Sequence, residues 1–364
     1  MVRNPNYWKT DPETGQQLPY LDSFIIRFIP ETAALINAFK AREVDMINPP
    51  PSIETIEDLQ TLESEGASVE VLASPIWEHL NFQFGENRLG RNPNSYNEFL
   101  EYRQAVAHTI DKGKIVDEIL KGQVEPLSSY VDAFSPTMSL GAWDQYDYNP
   151  DTAIALIADL CARDDTDCDA RPVTAVFSTT SNNDARVTLS QLFVEMFEAV
   201  GIAYVNELEV NTLFFGETLD FGLWDLGEWA WVGAPGLTEL VSMHDVWDPE
   251  GPPPEGQNYY RWGTPEVTGA DPDGYNQGES ALIDDATARY AEVRDAMNAT
   301  VDEVELEALI NEAENILADQ VVIFPLYARL DPGVVWADEI GGFKHNPSDA
   351  ALTWNLEEWY RVDL

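Results

Sequence analysis

The apolar positions of the chain change period along its length, and each change marks an element. "FIIRFI" (Phe24–Ile29) is almost continuously apolar and predicts a strand covered on both faces. After Pro30, "ETAALINAFKAREVDM" places Leu35, Ile36 and Phe39 on one helical stripe. "SVEVLAS" (Ser68–Ser74) alternates and predicts another strand. "EYRQAVAHTIDKGKIVDEIL" predicts two short helices: Tyr102, Val106 and Ile110 face inward on the first, and Asp111 caps a second that buries Ile115, Ile119 and Leu120. Asn149 caps and Pro150 opens the helix "DTAIALIADL". "VTAVFSTT" and "AYVNELEV" read as strands around the helix "RVTLSQLFVEMFEAVG", which Gly201 closes. A long amphipathic helix, "DEVELEALINEAENILADQ", carries Leu306, Ile310, Ala313 and Leu317 on one stripe and leads into the strand "VVIFPLYARL". Strands alternating with helices predict an α/β fold.

Two stretches break this rhythm. Residues 244–280 are rich in Pro, Gly and Asp, which break helix and strand, and Tyr259, Tyr260 and Trp262 sit among them. A connection of that length in a compact domain is functional or disordered. Just before it, "LWDLGEWAWVGAPG" sets three indoles within eight residues. On a strand, Trp229 and Trp231 share a face and Trp224 points the other way. The expectation is that the first two line a ligand cleft and Trp224 is core; the competing reading puts all three in the core.

Charge removes one class of partner. The chain has 65 acids against 20 bases, a net charge of −45, and no basic stripe to engage phosphate. The acids are spread along the whole length, which suits solvation in saline surroundings better than a funnel for cations. "MVRNPNYWKTDPETG" has neither a basic n-region nor an apolar h-region, and no apolar run is long enough to span a bilayer. Hydrolase, metalloprotease, P-loop and dinucleotide signatures are absent, and His79, His108, His244 and His345 are scattered singly. Nothing in the motifs argues for an enzyme, a metal or a cofactor. Cys161 and Cys168 are seven residues apart in "CARDDTDC"; a local disulfide, two free thiols or half a metal site are open, and the lack of a nearby histidine puts the disulfide ahead of metal.

Five segments in order, "VRNPNYW", "IPETAALINAFKAREVDM", "YRQAVAHTIDKGKIVDEIL", "YNPDTAIALIADL" and "ILADQVVIFPLYAR", resemble family 5 extracytoplasmic solute-binding proteins, the peptide- and nickel-binding components of ABC importers. The resemblance implies a two-lobe, periplasmic-binding-protein-like α/β clamshell of the type II, three-segment kind. It implies residues 1–80 in lobe I, 81–325 in lobe II and 326–364 returning to lobe I, with crossings at "WEHLNFQF" and "VVIFPLYAR". In that family the "RNPNYW" segment lies well inside the protein, so the resemblance also implies that lobe I is incomplete here and that a signal peptide precedes this chain. The implied location is extracytoplasmic, in the periplasm or as a cell-surface lipoprotein, which favours the Cys161–Cys168 disulfide. The implied activity is capture of a solute in the interlobe cleft by a monomer that delivers it to membrane permease subunits, with no cofactor.

Asp225 and Trp231 match the family's aspartate-to-tryptophan strand at the cleft edge. Two departures bear on the ligand. Where peptide-binding members place an aspartate three residues after that tryptophan, this chain has Ala234, and Thr179 stands where dipeptide-binding members use an arginine. The expected ligand contacts are therefore Trp229, Trp231, Gly233, Ala234, Thr179, Thr180, Tyr259 and Tyr260. Indoles and hydroxyls suit an oligosaccharide, or a longer peptide held through its backbone. A third departure is Arg42, at a position where the family commonly ends a helix with glycine. Rival readings are an acidic α/β hydrolase using a carboxylate pair in the cleft, and a sensory solute receptor.

Overall fold

The computed structural model describes the chain except residues 51–52, 86–95, 136, 266–279, 281, 347–351 and 363–364. The middle of the irregular stretch, 266–279, therefore lies outside the described residues. The chain divides into two compact units, residues 1–75 with 329–364, and residues 76–328.

In the first unit, α1 (Thr32–Lys40) buries Ile36 and Phe39. These meet Ile47 of β1 (Met46–Ile47), Leu59 and Leu62 of α2 (Ile53–Ser64), and Val334 and Trp336 in one core. The Phe39 and Trp336 rings stack with centroids 4.7 Å apart. Arg42, just past the end of α1, takes a left-handed φ of 56°. That is the conformation a glycine would adopt without Cβ strain. The guanidinium lies over the Trp336 ring at 4.4 Å and pairs with Asp338 and Glu339. "FIIRFI" is not a strand. Only Ser23, beside it, makes a bridge, to Val2, and Ile25, Ile26 and Phe28 are exposed. Apolar character alone does not make a strand; a ladder needs a partner, and past Phe24, whose backbone pairs with Met1, the segment makes no bridge among the described residues.

"SVEVLAS" and the segment after it form one continuous strand, β2 (Ala67–Phe82). Its residues 76–82 belong to the second unit, where α3 (Leu100–Thr109), α4 (Lys112–Leu120) and α5 (Pro150–Cys161) precede β3 (Thr174–Thr180). The caps are as the sequence predicts. Asp111 accepts from the Lys114 amide at 2.9 Å, Asn149 accepts from Thr152, and Pro150 opens α5. The cysteines at the end of α5 and in the loop beyond are joined, Cys161 to Cys168. Helix α6 (Asp184–Ala199) then leads through Gly201, at φ 79°, into β4 (Ala203–Glu209). After the short turn α7 (Asn211–Leu213) comes β5 (Leu226–Val232), then α8 (Leu237–Met243), α9 (Asp285–Ala299) and α10 (Glu303–Asp319). The long strand β6 (Ile323–Trp336) leaves this unit after Ala328. The strands β7 (Ile340–Gly341) and β8 (Tyr360–Arg361) pair in the first unit.

The sheet order in the second unit is β2-β5-β3-β4. β3 runs parallel to both β4 and β5, and β2 runs antiparallel to β5. The carboxyl ends of β3, β4 and β5 thus share one edge with the start of the Ile76–Phe82 segment, where Ile76 pairs with Val232. In open α/β sheets that edge is where ligands bind.

Candidate functional site

Register sorts the side chains at this edge onto two faces. Trp77 pairs with Trp231 and His79 with Trp229, so these four share one face. Glu78 pairs with Ala230 and Leu80 with Glu228, so both glutamates lie on the other.

The aromatic face is packed around Tyr260, which is wholly buried. Its hydroxyl accepts from Trp231 Nε1 at 2.9 Å and lies 3.3 Å from His79 Nε2. Its ring is 5.7 Å from that of Trp229, and Trp229 is 5.5 Å from His79. Trp224 does not point away: its ring meets Trp229 edge-on at 5.2 Å. Gly227 explains this, because a Cβ there would lie within 2.8 Å of both indoles. All of Trp224, Trp229 and Tyr260 are core. Trp231 and Tyr259 are half-buried and stack at 6.0 Å and 29°, so this pair reaches the surface. Beyond β5, Gly233 is covered by Phe134, whose ring would be 2.0 Å from an added Cβ, and Ala234 is half-buried.

Burial also decides the histidines. His79 is held neutral, its pKa lowered to about 3 by burial. His244 is lowered to about 3 for the same reason and sits between the Tyr130 and Tyr290 hydroxyls, 2.9 Å from each. Both are core groups, His244 bonded at each ring nitrogen and His79 through Nε2.

The opposite face carries charge. Arg186, in the first turn of α6, reaches Glu78 at 3.1 Å, Glu228 at 3.4 Å and the Thr180 hydroxyl at 3.0 Å. Thr179 donates to the Glu228 carboxylate at 2.8 Å. All five are buried. Burial works against the Arg186 charge, yet the two glutamates hold it more firmly protonated than usual. Thr179 and Thr180 therefore do not join the tryptophans. Thr179 lies beside Glu228, whose side chain is on the opposite face from Trp229 and Trp231, and both hydroxyls are spent on the ionic cluster. Glu78, Arg186 and Glu228 are the residues that sequence reasoning missed. For the two glutamates the signal was an acidic residue inside each of two buried strand runs rich in large apolar side chains, "IWEHLNF" and "LGEWAWV".

The chain matches the family of bacterial extracellular solute-binding proteins, family 5 (middle), over residues 1–242. It belongs to that family. Family 5 proteins are binders without chemistry of their own, which sets aside the hydrolase reading. The fold is shared with NikA from Brucella suis, solved in complex with Fe(III)-EDTA, at a TM-score of 0.73 and 16% identity over 99% of this chain and 64% of that one. The periplasmic EDTA-binding protein EppA superposes with a TM-score of 0.74 and 17% identity, over 100% of this chain and 62% of its own. The oligopeptide-binding protein AppA from Bacillus subtilis, in complex with a nonapeptide, gives 0.62 and 15% over 92% and 59%. The chain thus spans about three fifths of the length of these structures. No curated protein matches the sequence at a significant level. Among the described residues, no helix is long and apolar enough to cross a membrane, and no group of three or more His, Cys, Asp or Glu is placed to hold a metal.

Proposed function

We propose that this family 5 chain captures a neutral or cationic polar solute, an oligopeptide or an oligosaccharide, outside the cytoplasm and hands it to the permease subunits of an ABC importer. The observation that carries the reading is the Trp231–Tyr259 stack. It is aromatic surface left half-exposed at the ligand-favoured edge of the sheet, and Trp231 is fixed from behind by the Tyr260 hydroxyl. A rigid indole offers area to a peptide backbone or a sugar face at little entropic cost. Ala234 borders this surface. Trp229 and Tyr260 support it from within, and Gly233 admits Phe134 beneath the loop; Thr179 and Thr180, held by Glu228 and Arg186, are not part of it. The net charge of −45 disfavours anionic solutes such as the metal chelate bound by the Brucella suis protein.

Native mass spectrometry of gently purified protein identifies the class of solute retained. A ladder of peptide masses selects oligopeptide, and one discrete mass of hexose units selects saccharide. With that solute, Trp231→Ala weakens binding about ten- to a hundredfold by calorimetric titration, the scale of a buried aromatic anchor. Unchanged affinity removes Trp231 from the site.

A further inference from the structure

The apolar run at residues 24–29 meets solvent where its composition calls for a partner. Ile25, Ile26 and Phe28 are 79%, 57% and 92% exposed. Contiguous apolar surface of this kind marks an interaction site. A free sheet edge is ordinarily blunted by charges, a bulge or a proline. In a chain with 65 acids, none falls between Ser23 and Pro30, and the one charge there, Arg27, is drawn to Glu43 at 3.6 Å. One end of the run is already in a ladder. Met1 and Phe24 exchange both backbone hydrogen bonds, at 2.7 and 3.0 Å, Val2 bridges Ser23, and the Arg3 amide donates to Asp22 at 2.8 Å. These pairs fix an antiparallel register. Phe24 is also seated, its ring edge-on to Trp359 at 5.9 Å. The run continues past this last rung with its backbone edge unpaired.

We propose that the free edge of residues 24–29 is completed by the polypeptide immediately upstream of Met1, as an antiparallel strand in the register that Met1 already sets. Continued upstream, that register places the residue before Met1 opposite Ile25, the second opposite Ile26 and the fourth opposite Phe28. Hydrogen-bonded pairs alternate along an antiparallel ladder, so after Met1 with Phe24 they fall at Ile26 and Phe28. The Met1 nitrogen donates to the Phe24 carbonyl as an amine, and a peptide N–H at that position donates the same bond. Polypeptide preceding Met1 enters along this line without a break, whereas a strand from a second copy would have to abut the Met1 amine. Proteins of this fold have the length for such a strand: this chain spans 64% of the Brucella suis protein and 62% of EppA. Residues alternate across a strand, which puts Phe24, Ile26 and Phe28 on one face and Ile25 and Ile29 on the other. The pairing strand is therefore apolar at its second and fourth upstream positions, against Ile26 and Phe28. Such pairing is independent of the solute bound.

Residue-resolved hydrogen exchange on the 364-residue chain and on the protein extended upstream to its natural start tests this. The Ile26 and Phe28 amides are expected to exchange at least about a hundredfold more slowly in the extended protein, as in a paired strand. Equal exchange in the two proteins overturns the proposal, as does a native protein whose intact mass is that of these 364 residues alone. Protection that grows with protein concentration also overturns it and assigns the edge to a second copy. The register is checked by cysteine in place of the residue before Met1, combined with Ile25→Cys. Opposed residues of a non-hydrogen-bonded pair lie about 4.5 Å apart between Cα atoms, within disulfide reach. A disulfide within one chain supports the register; free thiols, or a bond between two copies, overturn it.

Discussion

At the scale of the residue, Arg186 is a buried charge that ties several elements of the core together. It joins α6 to β2, β3 and β5 through Glu78, Thr180 and Glu228. Removing one member of a buried ion cluster leaves uncompensated charge, which costs about 3–5 kcal/mol. Arg186→Ala is expected to lose stability on that scale in urea unfolding, and a loss below about 1 kcal/mol shows that the cluster relaxes or hydrates. Glu78 and Arg186 are 108 positions apart, so their meeting could not be read from either segment. The two strand charges were visible; their partner was not.

At the scale of the element, strand β5 and its exit loop are shaped by glycine. Gly227 makes room for Trp224 against Trp229, and Gly233 makes room for Phe134. A methyl group at Gly233 would force the Phe134 ring or the loop to move, since 2.0 Å is far inside contact distance. Gly233→Ala is expected to cost about 1–3 kcal/mol of stability, as overpacking does, and to weaken solute binding by shifting the neighbouring Trp231. Wild-type melting temperature and affinity in this variant count against that account. Helix caps were legible because they are local: Asp111, Asn149 and Gly201 act within a few residues of where they stand. "FIIRFI" was misread because strand formation depends on a neighbour that the segment itself does not specify.

At the scale of the molecule, a net charge of −45 acts on every contact at once. Like charges raise the energy of the compact state more than that of the expanded chain. Salt shortens the reach of that repulsion from about 10 Å at 0.1 M to about 3 Å at 1 M. The exposed ion pairs, such as Arg289 with Glu312 and Lys344 with Glu358, are individually worth little and weaken in salt by far less than the repulsion does. The melting temperature is therefore expected to rise by several degrees between about 0.1 and 2 M KCl, followed by circular dichroism. A flat or falling curve shows that self-repulsion does not limit stability.

What the sequence determined by itself was local or cumulative. Periodicity, capping and charge each depend on near neighbours or on a sum, and they carried the α/β class and most of the helices, while the family came from the resemblance of five segments in order. The tertiary structure decided which side chains face each other. Strand register put Thr179 on the ionic face while Trp229 and Trp231 took the aromatic one, because a pleated strand alternates and only its pairing says which way. Burial then separated Trp229 from Trp231, two residues alike in sequence, making one core and the other surface. It also brought Glu78 and Glu228 together on that face, an encounter that no spacing along the chain encodes.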